Sequence, residues 1–281
     1  MKILVTGANG QLGREIAKQG CEHELVLTGS HNLDITDGAA VRAYFHDVKP
    51  QAVIHCAAYT NVDGAEFDAD GAFRVNVVGA QNIAAGCMET GARMVYVSTD
   101  YVFDGQKQEP YRESDHVNPQ SVYGHTKLQG EDIVRQILGR HYIVRTAWLY
   151  GDGNNFVRTM LKLAKTNDRL RVVHDQVGTP TSTVDLTRVI FKLLASDSYG
   201  TYHATCQGQC SWYEFACEIF RSAGKNVVVM PVMSDEFPRP AKRPMHSVLD
   251  NYMLRMTVGD PMRVWQEALQ EYLEVEGYEQ I

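Results

Sequence analysis

A tyrosine four residues before a lysine, Tyr123-Gly124-His125-Thr126-Lys127, is a common spacing that gains meaning here from two other stretches. Thr6-Gly7-Ala8-Asn9-Gly10-Gln11-Leu12-Gly13 follows the apolar run Ile3-Leu4-Val5, and Ser98-Thr99-Asp100 follows the run Arg93 to Val97. On a helix, residues i and i+4 share a face, so Tyr123 and Lys127 point the same way. A free phenol titrates near about pH 10 and is a poor acid at neutrality unless its anion is stabilised. A neighbouring ammonium stabilises it, and the positive charge of an oxidised nicotinamide adds to the effect. Tyr123 can then give its proton to a carbonyl oxygen while Thr99 polarises that oxygen by a hydrogen bond. Lys127 can also hold the nicotinamide ribose. Together these residues describe hydride transfer to or from a carbonyl.

The cofactor site is expected on the glycine turn. Gly7-x-x-Gly10-x-x-Gly13 has one more residue between its first two glycines than the G-x-G-x-x-G fingerprint, but it too follows a strand and opens a helix. The backbone from Gly7 through Asn9, Gly10, Gln11, Leu12 and Gly13 would approach a pyrophosphate, with the helix N-terminus supplying free N–H donors. An acidic residue at the end of the second strand would select NAD, and a cation would select NADP. The chain has Gly29-Ser30-His31 there, neither Asp nor Arg, which leans slightly to NADPH with NADH tolerated. Ser30 would then face the extra phosphate, and Asp34-Ile35 suits the adenine edge. An equal reading makes Asp34 a helix-capping residue near Thr36-Asp37.

Several elements must position these groups. Strands are expected at 3–5, 24–28, 51–56, 93–98 and 142–145. Helices are expected at 12–18, 39–45, 72–89 and 120–138, the last carrying Tyr123 and Lys127. Strands alternating with helices at this spacing predict an α/β fold, a Rossmann-type doubly wound parallel sheet. Residues 1–150 form the dinucleotide-binding domain, with a return segment near 182–205 whose Gly200-Thr201-Tyr202-His203 is a candidate last strand. Residues 151–281 form mainly a smaller substrate-binding lobe beside the carboxyl ends of the strands. Its helices are expected at 156–165 and 212–223 and at the C-terminus, with β-rich runs at 171–174 and 227–230. A Pro-rich loop, 231–244, contains Phe237-Pro238-Arg239-Pro240, which suits neither a helix interior nor a central strand.

Bulk properties exclude other classes. A net charge of −7 without a basic stripe is the wrong balance for nucleic acid. No run approaches the ~18 apolar residues of a membrane span. The N-terminus turns into glycines too soon for a signal peptide, so a cytoplasmic protein is expected. The six cysteines, Cys21, Cys56, Cys87, Cys206, Cys210 and Cys217, lack metal-ligand spacing and read as reduced structural thiols; no metal ligand is assigned.

Taken together, the motifs resemble the extended short-chain dehydrogenase/reductases and, within them, the dTDP-4-dehydrorhamnose reductase family. The resemblance runs through Cys56-Ala57-Ala58-Tyr59-Thr60-Asn61-Val62-Asp63, Ser98 to Gly105, Asn118 to Gly124 and Arg145-Thr146-Ala147-Trp148-Leu149-Tyr150-Gly151. It continues through Asn154-Asn155-Phe156, Asp175 to Thr181 and Arg239-Pro240, and so covers nearly the whole chain. It implies reduction of the 4-keto group of dTDP-6-deoxy-L-lyxo-4-hexulose to dTDP-L-rhamnose by NADPH or NADH. It also implies a catalytic set of Thr99, Tyr123 and Lys127, with Ala57, Ala58 and Tyr59 lining the cofactor. Val62, Asp63, Thr99 and Trp148 would meet the sugar, and Asn155 would help position the sugar nucleotide; the cationic run Arg239, Lys242 and Arg243 physically suits its diphosphate, with a solvated basic loop an equal reading. The family can bind Mg2+ at a homodimer interface through glutamates; Glu15 matches one of these, the others have no assignable counterpart, and Glu15 otherwise reads as a surface carboxylate.

His125 stands where the family often has Lys. A nucleotide-sugar epimerase or dehydratase shares the Tyr/Lys and glycine motifs, but a dehydratase needs an acid/base pair after the Thr, and here Asp100 is followed by Tyr101. A non-catalytic regulatory subunit of methionine adenosyltransferase type also resembles this family, and the intact Thr/Tyr/Lys set argues against it.

Overall fold

A computed structural model describes residues 1–278; the last residues assigned to the lobe, 279–281, lie outside the described residues. Strands β1 (Lys2–Thr6), β2 (Glu24–Thr28), β3 (Ala52–His55), β4 (Arg93–Thr99), β5 (His141–Thr146) and β6 (Gly200–His203) form one sheet in the order β6-β5-β4-β3-β1-β2. Every pairing in it is parallel. The expected last strand is therefore the sheet's β6 edge. The longer helices are α1 (Gln11–Gln19), α2 (Gly38–Val48), α3 (Ala80–Thr90), α4 (Val122–Ile137), α5 (Phe156–Leu163), α6 (Thr183–Leu194), α7 (Trp212–Ser222) and α8 (Trp265–Val275).

A parallel sheet is covered on both faces, so both sides of each strand must be apolar. Ile3, Val5, Ile54, Val95 and Val144 pack with Leu12 and Ile16 of α1 and Leu186, Val189 and Ile190 of α6. Leu4, Val53, Met94, Tyr96 and Ile143 point the other way, against Val41 and Phe45 of α2, Ile83 and Cys87 of α3 and Val134 of α4. The alternation is the period of two that a strand imposes. Each aliphatic side chain fully removed from water contributes about 1.5–3 kcal/mol.

Local chemistry sets the helix ends. The Asp37 side chain accepts from the Ala39 and Ala40 amides to start α2, and Lys49 ends it in the left-handed region at φ 50, before Pro50. Ser121 caps α4 by accepting from Gly124 N at 3.1 Å. The single helix expected at 72–89 is interrupted. A short helix, Ala69–Phe73, passes into a π-helical turn, Arg74–Gly79, before α3 begins.

The lobe shares its main core with the sheet. Phe215 and Ile219 of α7 and Trp265 and Leu269 of α8 belong to the same hydrophobic cluster as Ile3 and Val5. A parallel pair, Arg169–Val173 with Val228–Val232, forms its outer ladder. That ladder includes Pro231, which sequence assigned to the loop. Past the 3-10 turn Ser234–Glu236, the Pro-rich segment is irregular, as Pro238 and Pro240 require.

Candidate active site

The turn after β1 is built around backbone contact. Gly7 has φ +67, and a Cβ there would lie 2.6 Å from Ala57 N on the turn after β3. A Cβ on Gly13 would lie 2.5 Å from both Ala8 Cα and Gly7 O, so only glycine lets α1 start this close to β1. Gly10 is the N-cap of α1; no side chain caps it and its first turn carries no acidic residue. Free N–H groups and the positive end of the helix dipole therefore face outward, an arrangement suited to a pyrophosphate. The site lies where the connections leaving β1 and β3 diverge in opposite directions across the sheet.

Two adjoining hollows meet at this turn and share Gly7, Gly10, Cys56, Ala58 and Thr60. The outer one, about 460 Å3, is lined by Asn9, Ser30, Asp34, Ile35, Ala57 and Tyr59 among others. Asp34 is committed locally: its Oδ1 accepts from Thr36 N at 2.9 Å and Thr36 Oγ1 at 2.8 Å, and these bonds hold its carboxyl below the usual range. The capping-type reading of Asp34 thus describes its bonds, although α2 itself is capped by Asp37. The inner cleft, about 380 Å3, contains Gln11, Leu12, Gly13, Val62, Thr99, Tyr123, Lys127 and Trp148.

Thr99 ends β4, and Tyr123 and Lys127 lie on the first turns of α4, so the sheet and one helix bring the three together. Lys127 is buried; its Nζ donates to Val97 O at 2.7 Å and lies 4.1 Å from the Tyr96 ring centroid. Burial lowers its pKa to about 7, against the opposing pull of Glu131 and Cys56. Tyr123 packs edge-on against Tyr101, with ring centroids 5.4 Å apart. Burial pushes its phenol up to about 12, while a hydrogen bond from Thr99 pulls it down and the Asp100 charge raises it. Tyr123 therefore holds its proton at neutrality, the state an acid needs.

Behind this set, Glu131 is fully buried and accepts from Ser98 Oγ at 2.6 Å and from Arg145 at 2.9 and 2.7 Å. These bonds tie α4 to β4 and β5 one turn beyond Lys127. Burial raises the Glu131 pKa, but the hydrogen bonds and charge of Arg145 win and leave it lowered. His125, between Tyr123 and Lys127, is exposed and lines neither hollow.

On the lobe side the structure divides the expected substrate residues. Val62 lines the inner cleft, and Arg239 lines a further hollow of about 290 Å3 with Phe156, Arg171, Trp212, Phe237 and Arg243. Asp63 lines neither; both its oxygens pair with Arg243 at 3.1 Å, and its Oδ2 lies 3.8 Å from Arg239. Trp148 lies in the left-handed region at φ 46, uncommon for a bulky residue, and its ring stacks on Trp212 at 3.5 Å and 8°. One of its faces is therefore covered by protein. Asn155 does not reach the cleft. Its Oδ1 caps α5 through Arg158 N at 2.9 Å, and its Nδ2 bonds to Gly151 O, Gly153 O, Gln11 Oε1 and Tyr272 Oη. Both amide protons are thus committed within the protein, and the bond that Oδ1 accepts goes to the helix cap.

Sequence reasoning missed Asn76 in the π turn. It accepts from Tyr59 N at 2.8 Å and donates to Tyr59 O and Thr126 Oγ1, joining the cofactor-side turn to α4. A polar residue inside the run Arg74-Val75-Asn76-Val77-Val78 was the available signal. The sequence pattern marks Trp212 only as helical, because its stacking partner Trp148 is remote in the chain. Glu15 is buried rather than at the surface, and it bonds to Gln19 at 2.7 Å. Among the described residues, no three His, Cys, Asp or Glu side chains cluster in a way that could hold a metal ion, and no helix is long and apolar enough to cross a membrane.

Comparison with known proteins agrees with this geometry. The family model of the RmlD substrate binding domain matches residues 1–277. The chain is 42% identical over 276 residues to the spore coat polysaccharide biosynthesis protein SpsK of Bacillus subtilis, covering 97% of each. The crystal structure of a dTDP-4-dehydrorhamnose reductase from Clostridium acetobutylicum superposes with a TM-score of 0.97 at 57% identity, over 99% of this chain and 100% of that one. The Bacillus anthracis dTDP-4-dehydrorhamnose reductase in complex with NADP superposes at 0.96 with 41% identity, over 98% and 99%.

Proposed function

The chain belongs to the dTDP-4-dehydrorhamnose reductase family, that of the RmlD substrate binding domain, and from this we propose that it reduces the 4-keto group of dTDP-6-deoxy-L-lyxo-4-hexulose to give dTDP-L-rhamnose. It is an oxidoreductase using NADPH or NADH. The observation that carries the reading is the convergence of Thr99, Tyr123 and Lys127 on one cleft that adjoins the uncapped start of α1.

When bound, the reduced nicotinamide supplies a hydride to the carbonyl carbon. The glycine turn and the N–H groups of Gln11, Leu12 and Gly13 hold the pyrophosphate, and the close approach at Gly7 and Gly13 is the cradle that fits it. Ser30, Asp34, Ile35, Ala57, Ala58 and Tyr59 form the wall on the adenosine side. With Asp34 bonded to Thr36, no other carboxylate among the described residues lines that wall, which favours NADPH. Tyr123 gives its proton to the carbonyl oxygen, and Thr99 bonds to that oxygen and orients it. Lys127, one helical turn from Tyr123, would anchor the cofactor ribose and supply positive charge to the cleft.

Val62 and the free face of Trp148 bound the sugar. Arg239 and Arg243 present guanidinium groups to the diphosphate, with the aromatic rings of Phe156, Trp212 and Phe237 beside them for the base. Asp63 acts through the two arginines rather than on the sugar. The homodimer and a cytoplasmic location belong to the same proposal; the free state of all the cysteines supports a reducing compartment.

The test is NADPH oxidation with the dTDP-4-keto sugar prepared enzymatically. Substrate-dependent oxidation and formation of dTDP-L-rhamnose are expected; no oxidation with either NADPH or NADH would overturn the proposal.

A further inference from the structure

The hollow that Arg239 and Arg243 share with the lobe's aromatic rings also takes in Gln176, which lies just past the strand Arg169–Val173. Its other polar side chains are Arg171, Arg239, Arg243 and Trp212, and guanidinium and indole groups only donate. The thioether of Met160 is a weak acceptor. Among the described residues lining this hollow, the Gln176 amide is therefore the one strong side-chain acceptor.

The direction in which that amide faces follows from its neighbours. Ser234 Oγ donates to Asp175 Oδ1 at 2.6 Å, and Ser234 N donates to the two oxygens of the same carboxylate at 3.1 and 3.0 Å. A carboxylate only accepts, so the single hydroxyl proton of Ser234 is committed and its oxygen is left as an acceptor. Gln176 meets that oxygen with Nε2, at 2.8 Å. A reversed amide would set Oε1 against an oxygen with no proton to give. Asp175 and Ser234 thus lock the amide, and its Oε1 has no hydrogen-bond partner among the described residues.

Thymine and uracil carry a ring N–H at N3 beside a carbonyl oxygen. Cytosine has a bare nitrogen at N3 and an amino group in place of that oxygen. With the diphosphate on the arginines and the ring among the aromatic side chains, any pyrimidine presents the same edge to Gln176. Oε1 accepts from the N3–H of thymine or uracil, and the second Nε2 proton suits the adjoining carbonyl. Cytosine in the same place sets a lone pair against Oε1, and only a turned amide would suit it. We propose that Gln176 is a specificity-determining residue of the nucleotide site, held by Ser234 and Asp175 so that Oε1 accepts the ring N–H of thymine or uracil and rejects cytosine.

This inference rests on the reductase reading, which puts the base in this hollow, and the experiment separates the two. Calorimetry measures the Kd of dUDP and of dCDP, which differ only at that edge, for the wild type, Gln176→Met and Ser234→Ala with NADPH saturating. Reduction of the dTDP-4-keto sugar is assayed in parallel, and melting temperature and NADPH affinity report on folding. The wild type should bind dUDP at least about tenfold more tightly than dCDP. Gln176→Met keeps the length of the side chain and removes the amide, so weaker dUDP binding should bring the two within about twofold. Ser234→Ala frees the amide to turn. Its dCDP affinity should rise while dUDP stays within about threefold, which shrinks the preference by about threefold or more. This arm holds whether or not Gln176→Met folds, and a merely structural role would weaken both nucleotides alike.

Equal affinities in the wild type, an undiminished preference in Gln176→Met, or a parallel loss of both nucleotides in Ser234→Ala would each overturn the proposal. If the wild type reduces the dTDP-4-keto sugar while dUDP and dCDP bind alike, the inference falls and the reductase reading stands. A preference for dUDP without reduction of the sugar would uphold Gln176 and overturn the reductase reading. Binding of neither nucleotide would remove the nucleotide site and the inference with it.

Discussion

Asp63 and Arg243 stand 180 residues apart in the chain and meet as a two-pronged ion pair, with each guanidinium nitrogen 3.1 Å from its own carboxylate oxygen. Asp63 also accepts from Ala241 N at 3.3 Å. The pair thereby bolts the Pro-rich segment of the lobe to the turn after β3, and with it the arginines that face the third hollow. Side chains 24% and 25% exposed are partly shielded, and the fork geometry is the strong one for Arg and carboxylate.

Replacing Asp63 by Ala should therefore act on substrate binding more than on chemistry. The KM for the nucleotide sugar is expected to rise about tenfold, with kcat changed less than about threefold. Steady-state kinetics at saturating NADPH measures both. An unchanged KM would mean that the pair fastens the loop without serving the ligand.

Tyr123→Phe removes the acid and keeps the ring that packs against Tyr101. The kcat should drop by about 10^2 to 10^4, the usual contribution of a positioned proton donor. NADPH affinity, read by fluorescence titration, should stay within about twofold, since the phenol meets the reacting oxygen rather than the pyrophosphate. Retained turnover would remove Tyr123 from the acid role.

Gly13→Ala places a methyl 2.5 Å from Ala8 Cα and Gly7 O, both backbone atoms that cannot swing aside. The start of α1 must shift, so NADPH affinity should fall by more than about tenfold and the melting temperature should drop by several degrees, about 1 kcal/mol or more. Equilibrium binding and thermal unfolding check the two effects. A fully wild-type affinity would mean that the turn tolerates the displacement.

Asn155→Ala tests a structural role against a ligand role. Losing an N-cap and the links to Gly151 and Tyr272 should cost about 1–2 kcal/mol of stability. The KM for the nucleotide sugar should stay within about twofold of the wild type at a temperature where both are folded. A large rise in KM with unchanged stability would restore Asn155 to the substrate site.

His55 and His203 predict acid sensitivity. Burial lowers both from 6.5 to about 3, and each has an Nε2 with no partner. A group whose pKa is lower folded than unfolded binds more protons when unfolded, so its stabilising contribution is present above the unfolded value and falls away as pH drops towards the folded one. Between pH 7 and 5 each histidine should cost about 2 kcal/mol of stability. Urea unfolding at the two values measures the loss, and a His203→Gln variant that still folds should show about half of it. Equal stability at both pH values would mean that the rings are solvated or charged in the folded chain.

The residues near Tyr123 show how far the sequence could be read. The glycine turn, the alternating strands and the i, i+4 pair are local patterns, each with a physical signature within a few residues, so the parallel sheet and the placing of Thr99, Tyr123 and Lys127 around one cleft were legible in them. Asp34 stood between two readings until its bonds to Thr36 could be seen. Asn76 lay inside an apolar helix pattern whose break into a π turn carries no periodic signal.

What the sequence determined by itself was the order of the elements, the cofactor turn and the identity of the chemical groups, because backbone propensity and period are set by near neighbours. The tertiary structure alone decided how those groups spend their bonds. Lys127 donates to Val97 O, Asn155 caps α5, Trp148 gives one face to Trp212, and Asp63 is occupied by Arg243. Each of these choices depends on a partner remote in sequence, on burial that makes an unpaired polar group costly, and on the few directions in which a hydroxyl, amide or guanidinium can bond. A one-dimensional pattern names the donors and acceptors, and only packing decides which of them remain free for a substrate.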